Sequence, residues 1–314
     1  MGSRGQNPLQ CNHTTLVDFI LLGFSDIPDL QGLLFGVFLI IYMIILMGNS
    51  LIIIITKMEP SLQTPMYFFL GNFSSLEICY VSVTVPRLLV DLCRQARNIS
   101  FLACAAQMYF FLVFGATECL LLTAMAYDRY VAICHPLLYP LLMNRRLCVQ
   151  LAAGCWGSGI PVHIGFTYLI FSLHFCGSNQ LNHFFCDIPP VLKLACGDTF
   201  MIEMIIYVVA ILVVIIPFML ILGSYVRIIE TIPKLPSATG RAKTFSTCSS
   251  HLMVVALFFG SGLITYFRPK SSHSIGMGKF LSLFYTIITP MFNPMVYCLR
   301  NKDVMVALRK FPLK

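Results

Sequence analysis

Seven long apolar runs, separated by short polar stretches, set the pattern of this chain. They cover residues 33–56, 66–86, 102–127, 147–175, 204–226, 244–267 and 280–299. Glu77 is the only Asp, Glu, Lys or Arg in the second run and Glu118 the only one in the third; the other five runs hold none. At 1.5 Å per helical residue each run can cross roughly 30 Å of hydrocarbon. The period-two alternation of a membrane barrel is absent. The pattern predicts an all-α membrane protein: a seven-transmembrane helix bundle over 31–300, after a polar tail at 1–30. Beyond the last run, Val304, Leu308 and Phe311 fall at i, i+4 and i+7. That spacing predicts a short cytoplasmic amphipathic helix within 301–314, lying on the inner membrane surface.

Composition agrees with lipid as the main solvent. Hydrophobic residues make up 58% of the chain and charged residues 11%, against about 25% charged in soluble domains. The net charge of +8 would admit a nucleic-acid partner. However, the basic residues are scattered at the ends of the runs, with no dense patch and no stacking platform. No nucleic acid is expected, and the charge reads as topology. With the amino terminus outside, 13 of the 21 Lys and Arg fall in inside segments, as the positive-inside rule requires. The sequon at Asn12-His13-Thr14 puts the tail on the same outer side as a glycosylation acceptor. A multi-pass plasma-membrane protein with an extracellular amino terminus is expected.

The longest loop, between the fourth and fifth runs, holds Cys176, Cys186 and Cys196, and Cys104 opens the third run on the same side. An outside location favours oxidation, but spacing alone does not fix which cysteines pair. His183-x-x-Cys186-Asp187 also reads as a soft-metal set. It ranks below a disulfide, because an oxidised sulfur is a poor ligand, so no metal is expected. Cys11 and Cys93 are left without a role. Enzyme signals are missing: there is no nucleophile elbow, phosphate-binding glycine loop or His-Glu-x-x-His motif.

The third run ends at Tyr127, inside the stretch Met125-Ala126-Tyr127-Asp128-Arg129-Tyr130-Val131-Ala132-Ile133-Cys134-His135-Pro136. A bare Asp-Arg pair would read as a headgroup anchor. The full stretch resembles the intracellular end of the third helix of rhodopsin-like (class A) G-protein-coupled receptors. In the long form MAYDRYVAICHPLLYP it resembles their odorant-receptor (olfactory) branch. Pro290 to Tyr297 is similar to the Asn-Pro-x-x-Tyr segment of the same receptors, through Asn293, Pro294 and Tyr297. Lys243 to Leu252 resembles the odorant-receptor signature that opens the sixth helix. The chain departs from the wider family at that helix, with Phe258-Phe259-Gly260 in place of Trp-x-Pro. The resemblance runs from about residue 12 to 310.

The resemblance implies a receptor that takes a small, neutral, mostly apolar volatile ligand and engages a stimulatory heterotrimeric G protein, raising cyclic AMP. It implies disulfides Cys104–Cys186 and Cys176–Cys196. It implies a cytoplasmic switch at Asp128, Arg129, Tyr130, Tyr225, His251, Asn293, Pro294 and Tyr297. Polar side chains inside a bundle are costly and call for a reason. Glu77 and Glu118 read either as protonated, hydrogen-bonded acids or as a pair that shares a sodium ion or a proton with Asn49 and Asn293; no other cofactor is expected. Met108, Phe111, Leu112 and Gly115 form one stripe of the third helix. The resemblance turns it toward the ligand with Val209, Ala210 and Val213 of the fifth helix, Phe259, Gly262, Leu263 and Tyr266 of the sixth, and Thr286 of the seventh. The plainer alternative is helix-to-helix packing, above all at Gly115. A seven-helix transporter would show paired half-repeats or a polar pore, and neither is visible. An aminergic ligand is disfavoured by Phe111, which stands where those receptors carry an aspartate.

Overall fold

The computed structural model describes residues 18–94, 97–176, 178–234, 236–266, 275–300 and 302–310. Its spanning helices are α1 (Gln31–Met58), α2 (Pro65–Cys93), α3 (Phe101–Cys134), α5 (Arg145–Phe171), the α7–α8 rod (Phe200–Ala210 and Ile216–Thr231), α9 (Ala238–Tyr266) and the α10–α11 rod (Ile275–Leu283 and Thr289–Arg300). Short α4 (Tyr139–Leu142) and α6 (Ile188–Leu192) lie in connections, and α12 (Lys302–Lys310) follows the last span. Each expected run became one helix or one rod. Five of them are apolar enough to cross a membrane by length and hydropathy alone. α2 and the α10–α11 rod complete the seven. α2 packs between α1 and α3 and buries most of its length, so its Asn72, Glu77 and serines need not all face lipid.

Local chemistry sets several boundaries. Ser100 caps α3 by accepting from the Ala103 amide (3.3 Å), and Asn144 caps α5 by accepting from Leu147 (2.9 Å); such caps satisfy amides that a helix start leaves unpaired. Two wide turns interrupt the rods. Ile216 donates to the carbonyl of Ile211, and Thr289 to that of Phe284, five residues back in each case. Each wide turn ends directly before a proline, Pro217 or Pro290. Proline has no amide to donate and crowds the preceding turn, so the ladder slips to the longer bond just ahead of it. α11 stays α-helical through Pro294, and the wide turn falls one proline earlier.

α3 is the axis of the bundle, in contact with α2, α5, α8 and α9, while α1 packs on both α2 and α11 and closes the ring. At 1.5 Å per residue its 34 residues reach roughly 50 Å.

One end carries a cap absent from the sequence reading. Residues 18–30 had been expected as part of a tail, yet Asp18–Leu21 forms a strand, β1. It runs antiparallel to β2 (Asn98–Ser100), with Phe19 opposite Ile99, and parallel to β3 (Gln180–Leu181), with Leu21 beside Leu181. Phe19 and Leu21 are buried against Ile99, Met108 and Leu181. Gly23 takes φ +48°, a left-handed conformation that glycine adopts without strain. Lys279 of α10 donates to the Gly23 carbonyl (2.7 Å) and to Asp26 (3.2 Å). Both expected disulfides are present, Cys104–Cys186 and Cys176–Cys196, with Cα separations of 5.5 and 5.8 Å.

Candidate functional site

At the end opposite the cap, Asp128 is fully buried and is the centre of a small network. Its Oδ2 accepts from Arg129 Nε (3.0 Å) and Nη2 (2.5 Å), and its Oδ1 accepts from the Tyr139 hydroxyl (2.9 Å). Burial, then the Asp128 carboxylate, push the Tyr139 phenol above its ordinary value, so it stays a donor. Sequence reading gave Tyr139 no role. The only available signal was its place after the turn at Pro136, a phenol within reach of the preceding helix end. Tyr130 turns elsewhere and meets His135 (3.1 Å), so the structure separates it from the clamp.

Beside this network the Tyr225 hydroxyl and His251 Nδ1 lie 2.8 Å apart, with stacked rings 5.6 Å apart. The pair bridges α8 and α9, both buried, and His251 is within electrostatic range of Arg129.

Deeper in the bundle the Asn293 amide donates to Glu77 Oε1, and Glu118 is close enough to Glu77 to interact with it electrostatically. Ser74 Oγ, Glu77 Oε2, Glu118 Oε1, Asn293 Oδ1 and the Tyr297 hydroxyl are buried there without a protein partner. Such atoms ordinarily have a partner, be it protein, water or ion. Asn49 does not join them: its amide donates to Ile45 of its own helix (3.0 Å). Pro294 packs on α1, where a Cβ at Gly48 would meet its ring at 3.2 Å. Among the described residues no group of three or more His, Cys, Asp or Glu could hold a metal.

Toward the cap, the expected ligand residues divide among three apolar clusters. Met108 packs with the cap residues. Phe111 packs with Tyr80, Phe185 and Tyr285, at ring separations of 5.2, 4.8 and 6.0 Å. Phe259 packs with Phe218 at 5.0 Å. Leu112, Leu263, Val209 and Ala210 are half-buried, and Val213 lies within the wide turn ahead of Pro217. Thr286 is buried and donates to the Ser282 carbonyl (2.7 Å). Tyr266 ends α9, but its side chain lies outside the described residues, as does Asn12. A Cβ added to Gly115 or to Gly262 would meet nothing within 4 Å, so neither glycine serves close helix packing.

The long loop is stitched to the bundle above Phe111. Gln107 accepts from the Cys186 amide (2.9 Å) and donates to the Val83 carbonyl (2.9 Å). The Tyr285 hydroxyl donates to Asp187 (3.1 Å), and His183 Nε2 lies 2.9 Å from Ser282 Oγ. Burial, then the nearby Lys279 charge, lower the pKa of His183 to about 3. The soft-metal alternative fails, because Cys186 is held in the disulfide.

Seven packed spans, a disulfide-tethered loop over one end and an Asp-Arg clamp at the other define a G-protein-coupled receptor, not an enzyme. The profile described as olfactory receptor matches residues 38–314. Human olfactory receptor 10AG1 is 60% identical over 298 residues, covering 95% of this chain and 99% of that relative. Human olfactory receptor 10C1 is 53% identical, covering 96% and 97%, and human olfactory receptor 10A5 is 55% identical, covering 95% of each chain. The chain belongs to the olfactory receptor family.

Proposed function

We propose that this chain binds a small, neutral, mostly apolar odorant in the cap-side half of the bundle, beside Phe111 and the open flanks of Gly115 and Gly262. Binding moves α8 and α9 and releases the Arg129 end to a stimulatory G protein, which raises cyclic AMP. The cap then faces outside, with the Arg129 end in the cytoplasm. The observation that carries this reading is the pairing of Arg129, held by an Asp128 that Tyr139 braces, with the neighbouring Tyr225–His251 bridge. The Tyr225–His251 bridge joins α8 to α9, so a relative shift of those helices breaks it, whereas the Arg129 contacts lie within α3 and open only when the side chain swings away. A ligand drives the shift only through unequal affinity for the two arrangements.

The orphaned oxygens around Glu77, Glu118 and Asn293 suit one added positive charge, a sodium ion or a shared proton. Glu77, Glu118 and Asn293 would hold it, and it would offset one of the two carboxylate charges and brace α2, α3 and α11 against each other.

An odorant burying about 300 Å² gains roughly 7.5–10 kcal/mol at about 25–33 cal/mol/Å². Association costs at least about 4 kcal/mol, which leaves dissociation constants on the order of tens of micromolar to millimolar. The test is a cyclic-AMP assay over a broad odorant panel, comparing wild type with Gly115→Leu at matched surface level. Loss of the larger odorants with small ones and basal signal retained is expected. An unchanged odorant profile refutes the placement.

A further inference from the structure

The inward face of α5 carries two polar side chains that the bundle leaves unsatisfied. Its stripe of Gly159, His163, Phe166, Thr167 and Ile170 is buried. Phe166 and Ile170 pack with Met108 and half-buried Leu112 of α3 and with Ile206 of α7. A Cβ added to Gly159 would lie 3.5 Å from the Ala116 Cβ and 3.6 Å from His163 Nδ1. α3 starts at the cap and α5 ends there, so one turn capward of that contact, about 6 Å, His163 stands level with Leu112. A turn further, Thr167 stands level with Met108. Both thus lie against the α3 stripe assigned to the odorant.

His163 is 4% exposed, and its Nδ1 lies 2.8 Å from the Gly159 carbonyl oxygen. A carbonyl only accepts, so Nδ1 holds the proton. A charged imidazole here would be buried without a counter-charge, so the ring is neutral and Nε2 is an acceptor. Among the described residues no hydrogen bond reaches that Nε2. Thr167 is 8% exposed, and its Oγ1 has no partner either. A threonine in a spanning helix can return its hydroxyl to a carbonyl four residues back. Thr117, Thr123 and Thr286 do so, at 2.8, 2.8 and 2.7 Å, and Thr167 does not. An acceptor and a hydroxyl four residues apart, neighbours on one helix face, both call for a partner.

We propose that His163 and Thr167 form a subsite for the hydroxyl group of the odorant, so that the receptor selects alcohols. The proposal rests on the odorant reading above and narrows its ligand class. A hydroxyl both donates and accepts: it donates to His163 Nε2 and accepts from the Thr167 hydroxyl, which satisfies both groups at once. An ether, ketone or aldehyde of the same skeleton only accepts. It takes the Thr167 hydrogen bond but leaves Nε2 unpaired, and a hydrocarbon leaves both unpaired. An amine donates too, but it arrives charged and would be desolvated with no acid beside it. Apolar walls discriminate such analogues weakly. A site that hydrogen-bonds a hydroxyl rejects them strongly, because its own polar groups are then stranded.

The test is a cyclic-AMP dose–response panel on the full-length receptor at matched surface expression. The probes are six- to ten-carbon linear, branched and cyclic alcohols, each with the methyl ether, carbonyl compound and hydrocarbon of the same skeleton. Alcohols should be about tenfold more potent than their ether and carbonyl partners. His163→Phe keeps a ring and removes the acceptor. It should lower alcohol potency about tenfold and leave ethers unchanged, so the ratio falls toward one, and His163→Gln, which supplies an acceptor again, should restore part of it. Thr167→Val, close to isosteric, should lower alcohols and carbonyl compounds alike, about three- to tenfold, and leave their ratio as in wild type. Each ratio is read within one variant, so a general loss of folding does not mimic it. If His163→Phe does not reach the surface, the wild-type ratio and Thr167→Val decide. Responses with alcohols and ethers equipotent in wild type, or a loss in His163→Phe shared by every ligand class, overturn the subsite and leave the odorant reading standing. A surface-expressed receptor that answers no compound of any class overturns both.

Discussion

Tyr139→Phe isolates the clamp on Arg129 with the smallest available change. The substitution removes one hydroxyl, which donates to Asp128 Oδ1 at 2.9 Å, and leaves both Arg129 contacts to Oδ2 in place. A hydrogen bond to a charged acceptor contributes about 1.5–3 kcal/mol net. Tyr139 is only partly buried, so the low end, about 1.5 kcal/mol, is the appropriate figure. The bond belongs to the arrangement in which Arg129 is held, and its loss shifts the equilibrium toward release. A difference of 1.4 kcal/mol is a factor of ten. Basal cyclic AMP should therefore rise up to about tenfold in a receptor that rests mostly off. Odorant potency should improve by a similar factor, while the maximal response stays unchanged. The assay is basal and odorant-driven cyclic AMP at matched surface expression. Basal signal and potency both equal to wild type would show that Tyr139 does not restrain Arg129.

The remaining predictions follow from the cap and the core. Cys104→Ser and Cys186→Ser should each abolish surface delivery, since loss of a native disulfide costs about 2–5 kcal/mol; surface labelling of the double mutant should match either single mutant, and additive defects would refute the pairing. His183 has a folded pKa near 3 against an ordinary 6.5. The unfolded chain therefore takes up the proton first, and stability falls as pH drops through 6.5. Between pH 7 and pH 5 the loss should be about 2 kcal/mol, and the melting curve of His183→Gln should lack that component; identical pH dependence in the two proteins would refute it. Gly48→Leu should lower the melting temperature and blunt signalling, because a Cβ there already meets the Pro294 ring at 3.2 Å; a fully stable, fully responsive variant would show that α1 and α11 separate freely.

The spans were legible because lipid imposes a simple demand, a run of apolar residues long enough to cross it. Helix ends were less so. α3 continues past Asp128 to Cys134 and α2 past Pro86 to Cys93, since a polar side chain does not stop a helix. The cap was not legible: β1 has four residues and pairs with segments far along the chain, so no local periodicity announces it. Among site residues, the polar ones could be named because each is costly in a membrane. Their partners could not. Asn49 bonding its own helix, Gln107 tying two elements together and Tyr139 reaching Asp128 depend on distances that only packing fixes.

The cap also sets a timetable for making this protein. β1 leaves the ribosome early, yet its partner Leu181 lies 160 residues beyond Leu21. At about 5–20 residues per second, roughly 8–32 s pass before β3 exists, and roughly 13–51 s before Lys279, 256 residues past Gly23, can secure the turn. Once β2 has emerged, β1 can pair along one side, but its other side stays an open edge until β3 exists, and such an edge can recruit the wrong strand. Nascent receptors should therefore lean most heavily on chaperones after the early helices have inserted. Slowing translation between 100 and 180 would lengthen the exposure without altering the finished molecule.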